Sequence, residues 1–290
     1  MKNWIIVSTF FCLWISTMFS GSIQTYLAYA LILTFGVLHG ANDISVIRIS
    51  AKKNGLSFGF YRVLGYYILT VCSISLLFLC YPSAALILFI MLSGYHFGEQ
   101  HLSSKSTKES LFSKLLYFFY GLTILFMIFY LNINKVASIL EEVTGFEIID
   151  VFFGYGLLGA GIFLTTILAY MSVTKKIMVN LVEEFFYLLV LFVVFATANL
   201  LWGFCIYFVI WHSLPSLKDQ IKFLYGNSSR QHFIKYLHSS WVYWAVSVVG
   251  LCILFAFFID NRAHLISILI YFLAAITFPH VIVMSRLKHS

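Results

Sequence analysis

The stretch "PSAALILFIMLSGYHFGEQH", residues 82–101, decides how this chain is read. Pro82 to Met91 is almost wholly apolar, and the run continues into His96, Glu99 and His101. Ionisable groups at the end of an apolar run mark either the wet end of a membrane helix or one corner of a built site. The rest of the chain decides between these.

Of 290 residues, 61% are hydrophobic and only 10% charged, where a soluble domain carries about 25% charged residues. Long apolar runs recur along the whole length, which implies a polytopic membrane protein whose first partner is the lipid bilayer. Cys12, Cys72, Cys80, Cys205 and Cys252 are scattered through those runs. None has metal or redox spacing, so they read as small core residues. The run Trp4 to Phe19 follows Lys2 like a signal peptide, but no small-residue cleavage pattern follows it, so it is taken as a membrane helix. In such a protein the net charge of +7 concerns loop orientation rather than a nucleic-acid partner.

About 20 apolar residues are needed per crossing. The pattern predicts an all-α membrane helix bundle of about ten spans, near residues 4–20, 23–41, 60–81, 83–98, 112–131, 151–171, 180–197, 199–214, 240–259 and 263–283. With a cytoplasmic N-terminus, 16 of the 18 basic residues fall on cytoplasmic segments, leaving Lys135 and Arg262 outside. The longest outer loop instead carries Glu141, Glu142, Glu147 and Asp150. This asymmetry supports ten spans with both termini cytoplasmic. If the links at Pro82 and Asn199 are kinks within longer helices, the count falls to eight. The reading is one integral-membrane domain over residues 1–290, with 215–239 as a cytoplasmic interfacial loop, amphipathic in "SLKDQIKFLYG".

Four of nine histidines lie within spans: His39, His96, His212 and His280. All are on even-numbered spans, about 13 to 17 residues from the outer start, or about 20–25 Å deep at 1.5 Å per residue. One buried histidine is commonly a packing residue bonded to a neighbouring helix. Four at one depth on four helices point to a metal, because neutral imidazole suits iron, copper or zinc. Asp43, four residues after His39, and Glu99, three after His96, are candidates to orient the ligands, as are Glu183 and Glu184 at the cytoplasmic start of span seven. The two glutamates also suit a solvated helix start. The absence of cysteine ligands disfavours structural zinc, and no Glu-x-x-His pair of the di-iron kind occurs within the spans. Fe(II) with open positions fits an oxygenase, while spacing leaves copper open. A haem-binding redox protein is an alternative, since histidines on facing helices can ligate haem. A transporter is another, given the breaks near Pro82 and Asn199.

At these residues the sequence resembles the Brp/Blh family of integral-membrane β-carotene 15,15′-dioxygenases. The likeness rests on "LHGANDISVI", "YHFGEQH", "WHSLPSL" and the late "FPH". It implies cleavage of the central double bond of β-carotene by O₂ to two retinals at a histidine-held non-haem Fe(II). It also implies a bacterial or archaeal plasma (inner) membrane location and a link to a microbial rhodopsin, which retinal supplies. Many members carry a second histidine four residues after the third, where this chain has Ser216. His280, at the same depth, is therefore expected as the fourth ligand. Tyr95, Phe97, Trp211 and Phe278, beside or near the ligands, are expected to line the polyene site. Gly36, Gly40, Gly94 and Gly98 would give either close helix approach or room for the polyene. The iron would bind O₂ beside the substrate, and no general base is needed.

Overall fold

The computed structural model describes residues 3–56, 58–147, 149–257 and 264–287. Among these, regular structure is helical apart from one antiparallel bridge, Ser106 to Ile177. The α-helices are α1 (Asn3–Met18), α2 (Gly21–Leu31), α3 (Asp43–Lys53), α4 (Phe60–Cys80), α5 (Pro82–Leu102), α6 (Leu111–Leu131), α7 (Ile133–Thr144), α8 (Val151–Val173), α9 (Leu181–Thr197), α10 (Leu200–Cys205), α11 (Leu214–Tyr225), α12 (Arg230–Phe257) and α13 (His264–Leu287). Two π-helical stretches, Ile32–Gly36 and Ile206–Ser213, follow α2 and α10. Lys2, Arg262 and Lys288, which entered the charge asymmetry, lie outside the described residues.

Ten spans were expected. Among the described residues, six helices are long and apolar enough to cross a membrane: Phe60–Cys80, Leu111–Leu131, Val151–Val173, Leu200–Tyr225, Arg230–Phe257 and Leu265–Ser285. The other expected spans are helical too, but each falls short for a local reason. α1 has 16 residues and α9 has 17. α2 runs into a π-helical stretch after 11 residues. α5 has 21 residues, but its second half holds His96, Glu99, Gln100 and His101. At Pro82 and Asn199 the helix ends and restarts. Pro82 opens α5 at a first-turn position, where its missing N–H has no intrahelical acceptor to lose. Asn199 caps α10 by accepting from Trp202 N–H at 2.9 Å.

The segment 215–239, expected as a loop, is helical at both ends. α11 covers its first part, Gly226 at φ +87° permits the turn that ends α11, and α12 begins at Arg230. Leu200–Tyr225 runs through Pro215, where the expected loop began, as one helical stretch. Proline removes one backbone donor and crowds the turn before it. The π-helical segment Ile206–Ser213 lies directly upstream, where that disturbance falls.

By packing, the chain divides into two compact units, residues 1–30 with 90–212, and residues 31–89 with 213–290. In the first, α6 is the central helix, packed against α8, α9, α10 and α7. Its buried face runs from Ser113 through Ile128. Phe119 stacks on Phe163 of α8 at 4.8 Å. In the second, α13 packs on α4, α3 and α12, and α11 on α12 and α3. Leu38, Leu217, Ile221 and Tyr236 form a buried cluster there, flanked by Phe233 and Trp244. α4 leaves Tyr61, Tyr66, Ile68, Leu69, Leu76 and Leu79 exposed, the apolar exterior expected where lipid rather than water is the solvent.

Candidate metal centre

In the second unit the π-helical stretch Ile32–Gly36 continues the helix from α2, and that helix breaks at His39–Asn42. α3 then starts with Asp43 in its first turn, where the helix dipole favours a carboxylate. His39 and Asp43, read as sharing one helical face, are therefore separated by a turn. Asp43 instead accepts from His280 Nδ1–H, at 2.9 and 3.1 Å to its two oxygens. Tyr67 of α4 donates to the same carboxylate at 3.2 Å. His39 Nδ1–H donates to the carbonyl of Gly36. The two imidazoles meet edge to face, with centroids 4.7 Å apart and planes at 86°. Asp43, His39 and His280 are all buried.

These bonds fix the chemistry of both rings. A carboxylate and a carbonyl can only accept, so the proton of each neutral ring sits on Nδ1 and the lone pair on Nε2. A histidine whose second nitrogen is held by a carboxylate or carbonyl is the usual form of a metal-ligating imidazole. Gly40 lies against this pair, and a Cβ there would stand 3.6 Å from His280 Nδ1, an ordinary contact. Its lack of a side chain is thus not sterically forced.

In the first unit His96 and His212 form a second pair, with centroids 4.8 Å apart and planes at 76°. Both are 2% exposed. His96 is set between Gly94 and Gly98, which let α5 touch the backbone of α6. A Cβ at Gly98 would strike the Tyr117 carbonyl, and one at Gly121 would strike the Gly94 carbonyl. For Gly94 and Gly98 this decides the question left open by sequence in favour of close helix approach. His212 lies in the second π-helical stretch, a type of irregularity that recurs at functional sites. Phe97 packs on it at 4.7 Å and Phe208 stacks at 5.9 Å, giving the ring an apolar surround.

The other expected site residues are distributed as follows. Glu99 accepts from Tyr95 Oη at 3.2 Å. Glu184 takes His101 at 2.7 Å, Lys105, and the Tyr120 hydroxyl at 3.4 Å. Glu183 accepts from Tyr187. The bonds seen for Glu183 and Glu184 thus go to partners other than the four span histidines. His101 lies within α5, beyond the expected span 83–98, and stacks on Tyr120 at 4.9 Å. Trp211 donates to Thr9 of α1 at 3.0 Å and packs on Tyr187. Phe278 is buried in α13, next to the internal Pro279. Ser216, fully buried, accepts from Gln220 Nε2 at 3.4 Å.

Four polar residues at the second unit's pair went unnoticed in the sequence: Tyr67, Asn42, Gln220 and Tyr236. The last three are fully buried, and Gln220 Nε2 donates to the His39 carbonyl at 2.6 Å. The one available sign was the spacing of Ser216 and Gln220, four apart on the buried face of α11. Within each unit the described residues hold no group of three or more His, Cys, Asp or Glu side chains able to bind a metal alone. Each supplies a histidine pair. Imidazole in its neutral form suits Fe(II) as a donor type, and in that form His39 and His280 would each present an oriented Nε2 lone pair.

The family model for β-carotene 15,15′-dioxygenase matches residues 30–288, and the chain belongs to that family. No curated protein and no solved structure matches it.

Proposed function

We propose that this member of the β-carotene 15,15′-dioxygenase family uses a non-haem Fe(II) held by His39, His96, His212 and His280. The overall reaction breaks the central C=C of β-carotene and forms two C=O groups from one O₂, giving two molecules of retinal. The observation that carries the metal reading is the way His280 is held by Asp43 and His39 by the Gly36 carbonyl. Each leaves Nε2 as the ligating nitrogen. When bound, iron would supply the binding and activation of O₂. The chain's residues hold the Nδ1 protons in place, keep water out of a buried apolar surround and align one double bond. Phe97 and Phe278 keep the lining role. Tyr95 and Trp211 are engaged by Glu99 and Thr9.

His280 takes the place of the ligand missing at Ser216. Ser216 is fully buried and serves as an acceptor for Gln220, a role that needs no metal. In the same proposal the protein works in the plasma (inner) membrane of a bacterium or archaeon, taking β-carotene from the bilayer and delivering retinal to a microbial rhodopsin.

Expression in β-carotene-producing bacteria tests the reading. The expected result is loss of orange colour with appearance of retinal, and purified protein that contains iron and shows no Soret band. Unchanged carotene in an iron-replete culture with well-expressed protein would overturn it. His280→Ala is expected to lose both iron and retinal formation. If that variant keeps full iron content and activity, His280 is not a ligand.

A further inference from the structure

The break at His39–Asn42 interrupts the helical hydrogen-bond ladder. Ala41 N–H reaches the Leu38 carbonyl at 3.1 Å, but Asp43 N–H goes to Gly40 rather than to His39. The His39 carbonyl receives Gln220 Nε2–H instead, at 2.6 Å. The Gln220 amide is itself oriented, because Tyr236 Oη–H donates to its Oε1 at 2.9 Å. The same hydroxyl lies 3.2 and 3.3 Å from the Leu38 and His39 carbonyls. On the far side of the break Asn42 Nδ2–H donates to the Tyr236 carbonyl at 3.1 Å, and Ser239 donates to Asn42 Oδ1 at 3.0 Å. Irregular backbone at bilayer depth persists only where protein groups replace water. Here an amide and a phenol from α11 and α12 do so.

Burying Gln220 and Tyr236 costs free energy that an apolar pair would not. Satisfied buried networks of this kind specify one arrangement of a core. The arrangement specified is the turn with His39 on one side and Asp43 on the other. We infer that Gln220 and Tyr236 are positioning residues for the metal centre: through the His39 carbonyl and Asn42 they set the direction of the His39 ring and of the carboxylate that holds His280. The inference rests on the metal reading given above.

Co(II) titration of the detergent-purified protein, followed by ligand-field absorption, tests it. Gln220→Leu is expected to weaken Co(II) binding by about 10- to 100-fold, the range for residues that orient metal ligands, and to shift the ligand-field bands. Tyr236→Phe removes only a hydroxyl and preserves ring packing. It is expected to weaken binding by about 3- to 10-fold, at or below the low end of that range, with a band shift in the same direction. Should Gln220→Leu fail to fold, Tyr236→Phe decides alone. Wild-type affinity and bands in a folded variant would overturn the inference, as would weakened binding with unchanged bands, which marks a purely structural loss. Wild-type protein that binds no Co(II), or a His39→Ala variant that binds it normally, overturns the metal reading itself.

Discussion

At the scale of residues, hydrogen bonding decides the roles. Asp43 stood out in the sequence as a candidate because it is ionisable and lies within an apolar sequence, but its partner was not legible. Four-residue spacing pointed to His39, and the turn after His39 gave the carboxylate to His280, 237 positions away. Asp43→Asn keeps the volume but removes the charge and offers a donor where only acceptors now stand. It is expected to lower iron affinity by about 10- to 100-fold, read as iron retained after dialysis against a chelator. Trp211 was expected beside His212 as a substrate wall, and its indole N–H donates to Thr9 in α1. Trp211→Phe should cost about 0.5–1.5 kcal/mol of stability, the usual worth of one buried hydrogen bond, with iron content unchanged. Thermal unfolding and metal analysis of one preparation check both halves.

At the scale of elements, two irregular helices and one tight helix pair hold the two histidine pairs, one pair in each unit. The π-helical stretches before His39 and around His212 add residues to the turn. Each inserted residue rotates the downstream side chains by about 100° relative to a regular α-helix. Such a rotation is invisible to a reading based on 3.6-residue periodicity. Pro215→Ala restores a backbone donor next to the second stretch and is expected to let it relax towards α-helix. The fold should persist and iron affinity should fall, measured by chelator competition. In the tight pair, α5 meets α6 through Gly94, Gly98 and Gly121. Gly98→Ala forces a methyl group against the Tyr117 carbonyl. It should cost at least about 1–3 kcal/mol, the range for overpacking, seen as a lower unfolding temperature in detergent. Glycine spacing suggested either tightness or space, and only the position of α6 distinguishes them.

At the scale of the whole molecule, orientation remains the expectation set by loop charge. A fluorescent protein that matures only in the cytoplasm, fused after Ser290, should fluoresce if the C-terminus faces inward. A dark fusion in a well-expressed protein would reverse the orientation. The helical membrane class was legible because apolar runs and helix periodicity are local properties of the chain. The number of crossing helices was less so, since α1, α2, α5 and α9 are apolar over lengths or compositions that fall short of a full span. The sequence by itself determined that four imidazoles fall in apolar segments, where the energetics of ionisable groups in hydrocarbon require a reason for each. Only the tertiary structure decided how they pair, His39 with His280 and His96 with His212. Only it brought Gln220 and Tyr236 to the break at His39 from 181 and 197 positions away. The physical reason is that a broken helix in a membrane must find its missing hydrogen-bond partners in the protein, and those partners are chosen by packing rather than by proximity along the chain.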